Sequence, residues 1–207
     1  MVKINEALFN ANVLKQQNPS TKVQEEEMGT IFASDSVGET SFDLGFEKNS
    51  TTIKNPELAN APSPKIVVNG EEKNARIVVS LSDNKLYLYD ENGEAEEVHS
   101  VASGAKNTPT DVGLRKVTHI ETYPYSSATG TKRKANPKAY GPKILILTSI
   151  DPKTGKDLGS NGEFIHGNNN PASIGKYASH GCIRMHNDQI VRMAEIVEPG
   201  SYVLIQK

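Results

Sequence analysis

The sequence predicts a mostly β domain over residues 75–207, preceded by an extension, 1–74, that carries no core pattern. Three observations predict it. From Ala75 onward, apolar and polar residues alternate in short runs between turn residues, the period of half-buried strands. All seven tyrosines lie in this second part. The first part holds polar runs such as KQQNPSTKVQEEE and KNSTTIKNPELANAPSP, with 11 acidic against 7 basic side chains, and few of its apolar residues keep a period.

In the extension a short amphipathic helix is expected near Ile4–Leu14, with the remainder extended or unstructured up to the proline-marked NAPSPK. A small strand at Lys65–Val68 is expected to open the folded part. Ile77–Leu81 and Leu86–Tyr89 are expected to pair through a turn at Asp83-Asn84-Lys85, with Val79, Leu81, Leu86 and Leu88 on a buried face. Glu91-Asn92-Gly93 turns into a third strand, EEVHSVASG, stopped by Gly104. LRKVTHIETY is a fourth strand, and KILILTSID, the most apolar, a fifth. After a glycine-rich stretch, Asn187 is placed to cap a helix, DQIVRMAEIV, whose Ile190, Met193, Ala194 and Val197 recur at helical spacing. SYVLIQ is a last strand. No internal repeat is visible.

The 207 residues carry 23 basic and 25 acidic side chains, which gives no general case for a nucleic-acid partner. No apolar run approaches the ~20 residues of a membrane helix. Cys182 is the single cysteine, so no internal disulfide forms. The start, MVKINEALFNANVLKQQ, does not read as a secretory signal, because its run Ala7–Leu14 is short and broken by Asn10 and Asn12. Such a chain stays inside the cell, leaves it by another route, or has been trimmed.

His166, His180, Cys182 and His186 fall within 21 residues. A lone buried cysteine ordinarily acts as a small hydrophobe, but reactive thiols are defined by an activating environment, and this one has histidines around it. A thiol of pKa ≈ 8.5 is mostly protonated at neutral pH, and a histidine in reach takes that proton. Attack on a carbonyl then needs donors aimed at the oxyanion, for which the amides of Gly181 and Cys182 are natural candidates. Arg184 offers a planar fork to a carboxylate. An extended HGCIR would put His180, Cys182 and Arg184 on one face. His180 is close in sequence to the thiol, whereas His166 ends an apolar run before Gly167 and three asparagines, so His166 is the preferred base. Zinc is the rival for the same four side chains, but His180 and Cys182, with one residue between them, do not match the paired spacing of zinc sites.

The sequence resembles the L,D-transpeptidases with the YkuD-type catalytic domain. IHG at His166 and SHGCIRM from Ser179 carry the likeness. IVVSLSDNKLYLYDENGE, SVASGAKNTPTDVGLRKV (with Asp111 where a second proline is usual), AYGPKILIL and HNDQIVRMAEIVEPGSYVLI extend it over residues 75–207. The resemblance implies a β-sandwich with one or two short helices and a cradle-like cleft. It implies a cysteine acyltransferase acting on peptidoglycan stem peptides, in which Cys182 attacks the third-residue carbonyl, expels the terminal D-alanine and forms a thioester. An amine then takes the acyl group, making a 3-3 cross-link or a protein attachment. The same residues serve an L,D-carboxypeptidase or endopeptidase if water is the acceptor. An inactive wall-binding module and a zinc-dependent hydrolase are the other readings.

The resemblance further implies His166 as proton shuttle, the Gly167 carbonyl as orienter of its ring, and His180, Gly181 and Cys182 around the oxyanion. Arg184 would steady a substrate carboxylate or the loop itself, and Ser179 would hold the turn. No metal or cofactor, inhibition by carbapenems, a monomer, and a place in the cell envelope (periplasm or cell wall) are expected with it. The stretch Thr122–Tyr140 corresponds to a region that acts as a lid in relatives, and its Lys132, Arg133, Lys134 and Lys138 would meet anionic wall polymer or stem carboxylates. His99 and His119 read as structural or surface residues, His186 as a helix-edge residue, and Tyr140 and Tyr177 as rim or core residues.

Overall fold

The computed structural model describes residues 55–125 and 135–207, and the mostly β expectation holds for them. The strands are β1 (Lys65–Val68), β2 (Glu71–Asn74), β3 (Ile77–Ser80), β4 (Lys85–Tyr89), β5 (Ala95–Ser100), β6 (Ser103–Gly104) and β7 (Gly113–Thr122). They continue as β8 (Lys143–Ile150), β9 (Asp157–Gly159), β10 (Phe164–His166), β11 (Tyr177–Ser179), β12 (Ile183–Arg184) and β13 (Tyr202–Gln206). An α-helix, α1, spans Asn187–Ile196. The predicted helix at Ile4–Leu14 and the basic residues Lys132, Arg133 and Lys134 lie outside the described residues.

Nine strands form one curled sheet in the order β12-β10-β8-β7-β13-β3-β4-β5, with β9 paired to β8. Its two faces are covered differently. On one face Ile77, Val79, Leu86, Leu88, Leu145, Leu147, Ile165, Val203 and Ile205 pack against Ile190 and Met193 of α1 and Val197 just after it. These are alternate residues of their strands, as a period of two requires. On the other face Val78, Tyr87, Tyr89 and Leu114 pack against Ile66 and Val68 of β1. β3 is therefore buried at every position rather than at alternate ones.

Residues 55–74, grouped with the extension on composition, include the hairpin β1–β2 that covers this second face. The Tyr89 hydroxyl donates to the Pro62 carbonyl and fastens the segment further. β2, EEKN, has no buried residue and exists through its pairing with β1.

Two local expectations are corrected. The helix N-cap is His186, not Asn187, and His186 makes no side-chain cap bond. Asn187 is the first helical residue, and its Oδ1 accepts instead from the Asn168 amide at 2.8 Å. The long third strand divides into β5 and β6, with Val101 and Ala102 between them turning the chain toward β12 through an Ala102–Arg184 bridge.

Candidate active site

β10 lies between β8 and β12, parallel to β12, with Ile165 in register with Ile183 and His166 with Arg184. Paired residues of neighbouring strands present their side chains to the same face. His166 and Arg184 thus share a face at the sheet's end, and Cys182 is the residue immediately before β12. The Met185 amide donates to the His166 carbonyl at 2.9 Å and carries the pairing one step further.

His166 is 3% exposed. Its Nδ1 faces the Gly167 carbonyl oxygen. That contact makes Nδ1 the protonated nitrogen and leaves Nε2 as the basic one. Burial is the largest influence on the ring and lowers its pKa to about 4, opposed by the Gly167 and Tyr140 backbone carbonyls and reinforced by the Arg184 cation. The Tyr140 ring lies 4.9 Å from the imidazole, centroid to centroid, at 45°. Tyr140, read from sequence as a rim or core residue, is thus a wall of the histidine's pocket.

Gly167 is required by close approach. A Cβ there would stand 2.4 Å from Asn187 Oδ1 and 2.9 Å from Pro142 Cδ. Asn168, also buried, donates from Nδ2 to the Met185 carbonyl at 2.6 Å and accepts from the Asn170 amide at 2.7 Å. The asparagines after His166 therefore replace strand pairing where β10 stops. The sequence marked them only as the end of the strand that carries His166; the signal for their bonding was a polar side chain able to mimic backbone immediately after a short strand.

The expected extended HGCIR is instead a turn leading into the two-residue β12. Gly181 has φ +105°, a backbone that side chains adopt only with strain, and an added Cβ would approach Glu163 Oε1 to 3.3 Å. Ser179, 1% exposed, closes the turn by donating from Oγ to the Cys182 carbonyl at 2.5 Å and accepting from the Gly181 amide at 3.1 Å. The Gly181 N–H, expected as an oxyanion donor, is thereby directed to Ser179. His180 is exposed, whereas Cys182 is half-buried with Sγ 3.8 Å from the Gly162 carbonyl oxygen. Arg184 reaches the Ala178 carbonyl at 3.4 Å and so braces the loop.

The Thr108-Pro109-Thr110 segment holds the same turn from the other side. Thr108 Oγ1 donates to the Ser179 carbonyl at 2.9 Å. Thr110 Oγ1 accepts from the Gly104 amide at 2.9 Å and donates to the Gly181 carbonyl at 2.7 Å. A cavity of about 300 Å³ opens beside this contact, lined by Gly104, Thr110, Pro109, Lys106, Leu81 and Tyr177 among others. A second, of about 550 Å³, lies beyond Gly141 and Asn168 and includes Lys138.

The remaining histidines sit apart. His99 contacts Glu97 at 3.0 Å, and His119 contacts Glu121 at 3.3 Å. No group of three His, Cys, Asp or Glu among the described residues is arranged to hold a metal ion. Nor is any helix among them long and apolar enough to cross a membrane.

The family model for the L,D-transpeptidase catalytic domain, YkuD, matches residues 74–205. The Bacillus subtilis protein named "Putative L,D-transpeptidase YqjB" is 32% identical over 131 residues, which is 62% of this chain and 69% of that one. "Putative L,D-transpeptidase YkuD" from the same organism is 58% identical over 43 residues, 21% of this chain and about a quarter (26%) of that one. Among solved structures, Bd1075 of Bdellovibrio bacteriovorus matches with a TM-score of 0.50 at 17% identity, over 70% of this chain and about half (51%) of that one; this is a likeness of fold.

Proposed function

The chain belongs to the L,D-transpeptidase catalytic domain family, and on that premise we propose that it is a cysteine acyltransferase of peptidoglycan stem peptides, with Cys182 as nucleophile and His166 as base. The observation that carries the reading is the parallel seam of β10 and β12. It sets the His166 strand beside the strand that Cys182 opens, with the turn between held by Ser179, Thr108 and Thr110.

The chemistry follows from the histidine's environment. A ring whose pKa lies near 4 is neutral at physiological pH. The imidazole therefore rests uncharged, and the thiol proton moves to Nε2 as sulfur bonds to the carbonyl carbon. The imidazolium then gives that proton to the leaving D-alanine amine. The remaining thioester is resolved by an amine of another stem or of a protein, with His166 accepting its proton. Donors from the turn at His180 and Cys182 stabilise the oxyanion. Arg184, joined to Ala178, keeps the turn in place. The site of action is the cell envelope, where the substrate is.

Intact-mass measurement after incubation with a carbapenem tests the reading. An adduct of one inhibitor per chain, absent from Cys182→Ala, is expected. Well-folded protein that takes up no inhibitor would overturn it.

A further inference from the structure

Beneath the proposed nucleophile lies a pair of buried charges that the reaction above does not use. Glu163 is 7% exposed and Arg115 is 5% exposed. Glu163 Oε1 accepts from the Asp111 amide at 2.8 Å. Its Oε2 accepts from Asn161 Nδ2 at 2.7 Å and faces Arg115 Nη2 at 3.5 Å. Arg115 belongs to β7 in the middle of the sheet, and its Nη2 also donates to the Asp111 carbonyl at 3.2 Å.

Glu163 stands next to the nucleophile turn and at the entry to β10. A Cβ on Gly181, the residue before the thiol, would come 3.3 Å from Glu163 Oε1. The residue before Glu163, Gly162, supplies the carbonyl 3.8 Å from Cys182 Sγ. Glu163 itself leads into β10, which ends in His166. As a stabilising device the pair is poor. Its separation is long, and Arg115 Nε is buried with no hydrogen-bond partner among the described residues. Buried ion pairs of this quality rarely repay their desolvation, and an apolar pair of the same volume would serve a core at least as well.

We propose that Glu163 and Arg115 form a charge-neutral brace for the nucleophile turn. Glu163 is the positioning residue that holds the Gly181–Cys182 turn against the start of β10, and Arg115 cancels its charge so that negative sulfur can develop above it. Among the described residues, the charged or titratable groups on the elements that frame the turn include Asp111 before β7, His166 on β10, His180 in the turn and Arg184 on β12. Among the described residues, the ion pair of Glu163 is with Arg115. This inference rests on Cys182 being the reacting group.

Because the chain has one cysteine, the iodoacetamide adduct seen by intact mass in the parent and missing from Cys182→Ala reads that thiol. Arg115→Met leaves the carboxylate uncompensated, so the midpoint of the alkylation–pH profile should rise by about one unit. Glu163→Gln keeps an acceptor for the Asp111 amide but leaves the guanidinium uncompensated, so the midpoint should fall. The double variant should return close to the parent value. A merely structural role gives no such pair of opposite signs. Shifts of the same sign, an unmoved midpoint in Glu163→Gln, or no recovery in the double variant would overturn the proposal. If Arg115→Met does not fold, Glu163→Gln decides alone: a lower midpoint supports the brace and an unchanged one removes it. Variants that show these shifts, from a parent that takes no carbapenem, would sink the transferase reading and leave the brace standing.

Discussion

The two ends of the sheet are held by different forces. At the far end, β3 and β4 pair through four residues, Ile77 with Leu88 to Ser80 with Lys85, and are packed on both faces by apolar side chains. At the cleft end, β10 has three residues and β12 two. Ile165 and Ile183 still join the core there, but the turn before β12 and the chain after β10 are held by single polar side chains on backbone groups: Ser179, Thr108, Thr110, Asn168 and Asn187. Apolar burial scales with area and tolerates any side chain of suitable volume. A hydroxyl bridging two backbone groups has no substitute of another kind. The far end should therefore govern whether the chain folds, and the cleft end how its turn is set once it has folded.

The largest effects should fall on activity alone. Cys182→Ala is expected to abolish turnover while changing unfolding free energy by less than about 1 kcal/mol, since a half-buried small side chain leaves little void. His166→Ala is expected to lower the acylation rate by about 10²–10⁴-fold, the range for a lost acid–base group. His180→Ala should cost much less, because that side chain is exposed. Stopped-flow acylation of the three variants checks this; a deadlier His180→Ala would move the base to His180.

The reverse pattern belongs to the far end. Leu88 is fully buried in the face that packs on α1, and Leu88→Ala should destabilise by about 2–5 kcal/mol. Acylation per folded molecule should stay at the parent rate. A urea titration and active-site titration on one sample separate the two quantities.

Acid should reveal the cleft end through stability as well. The folded ring of His166 has a pKa near 4, below its ordinary 6.5. Between these values the unfolded chain binds a proton that the folded chain does not. Stability is therefore complete above about pH 6.5 and falls as pH drops toward 4, by about 3 kcal/mol in all. Glu97 is held below the ordinary carboxylate value first by Arg192, and Asp151 and Asp157 first by threonine hydroxyls, so losses from these carboxylates begin lower, below about pH 4.5. The interval from 6.5 to 4.5 isolates the histidine, and His166→Gln should flatten urea midpoints across it. An equal slope in that variant would assign the acid sensitivity elsewhere.

The long strands were the more legible in sequence. IVVS, KLYLY, KILILTSI and YVLIQ announce strands as apolar runs between turn residues, and NDQIVRMAEI announces a helix by its 3.6-residue apolar period. β2, β9, β11 and β12 are too short or too polar to show a period, and they form because a neighbour offers a partner. The identities of Cys182 and His166 stood out through residue type and neighbours. The parts of Tyr140, Asn168, Asn187, Thr110 and Glu163 did not, because each acts on a residue distant in sequence. Thr110 reaches Gly181, 71 positions away, and Asn187 reaches Asn168, 19 positions away. The bend at Gly181 was half legible: the resemblance implied a turn held by Ser179, while a lone glycine between a histidine and a cysteine also fits the extended HGCIR that the structure does not show.

Thr110→Val gives a smaller expected loss of activity than Cys182→Ala or His166→Ala, and the sharpest trial of the contrast. The substitution keeps shape and removes one hydroxyl, stranding the Gly104 amide and the Gly181 carbonyl in a buried place. An unmet buried group costs about 1–3 kcal/mol, comparable with or below Leu88→Ala. Thr110 takes no part in the proposed bond-making, so its loss acts only by releasing the Gly181 turn. Acylation should nevertheless fall at least about tenfold, because a turn free to move by a fraction of an ångström no longer holds sulfur and oxyanion donors in one geometry. Thr110→Ser, which restores the hydroxyl without the methyl, should recover most of that rate while remaining less stable than the parent. If Thr110→Val instead lost stability with its acylation rate intact, the two ends of the sheet would differ in composition and not in kind.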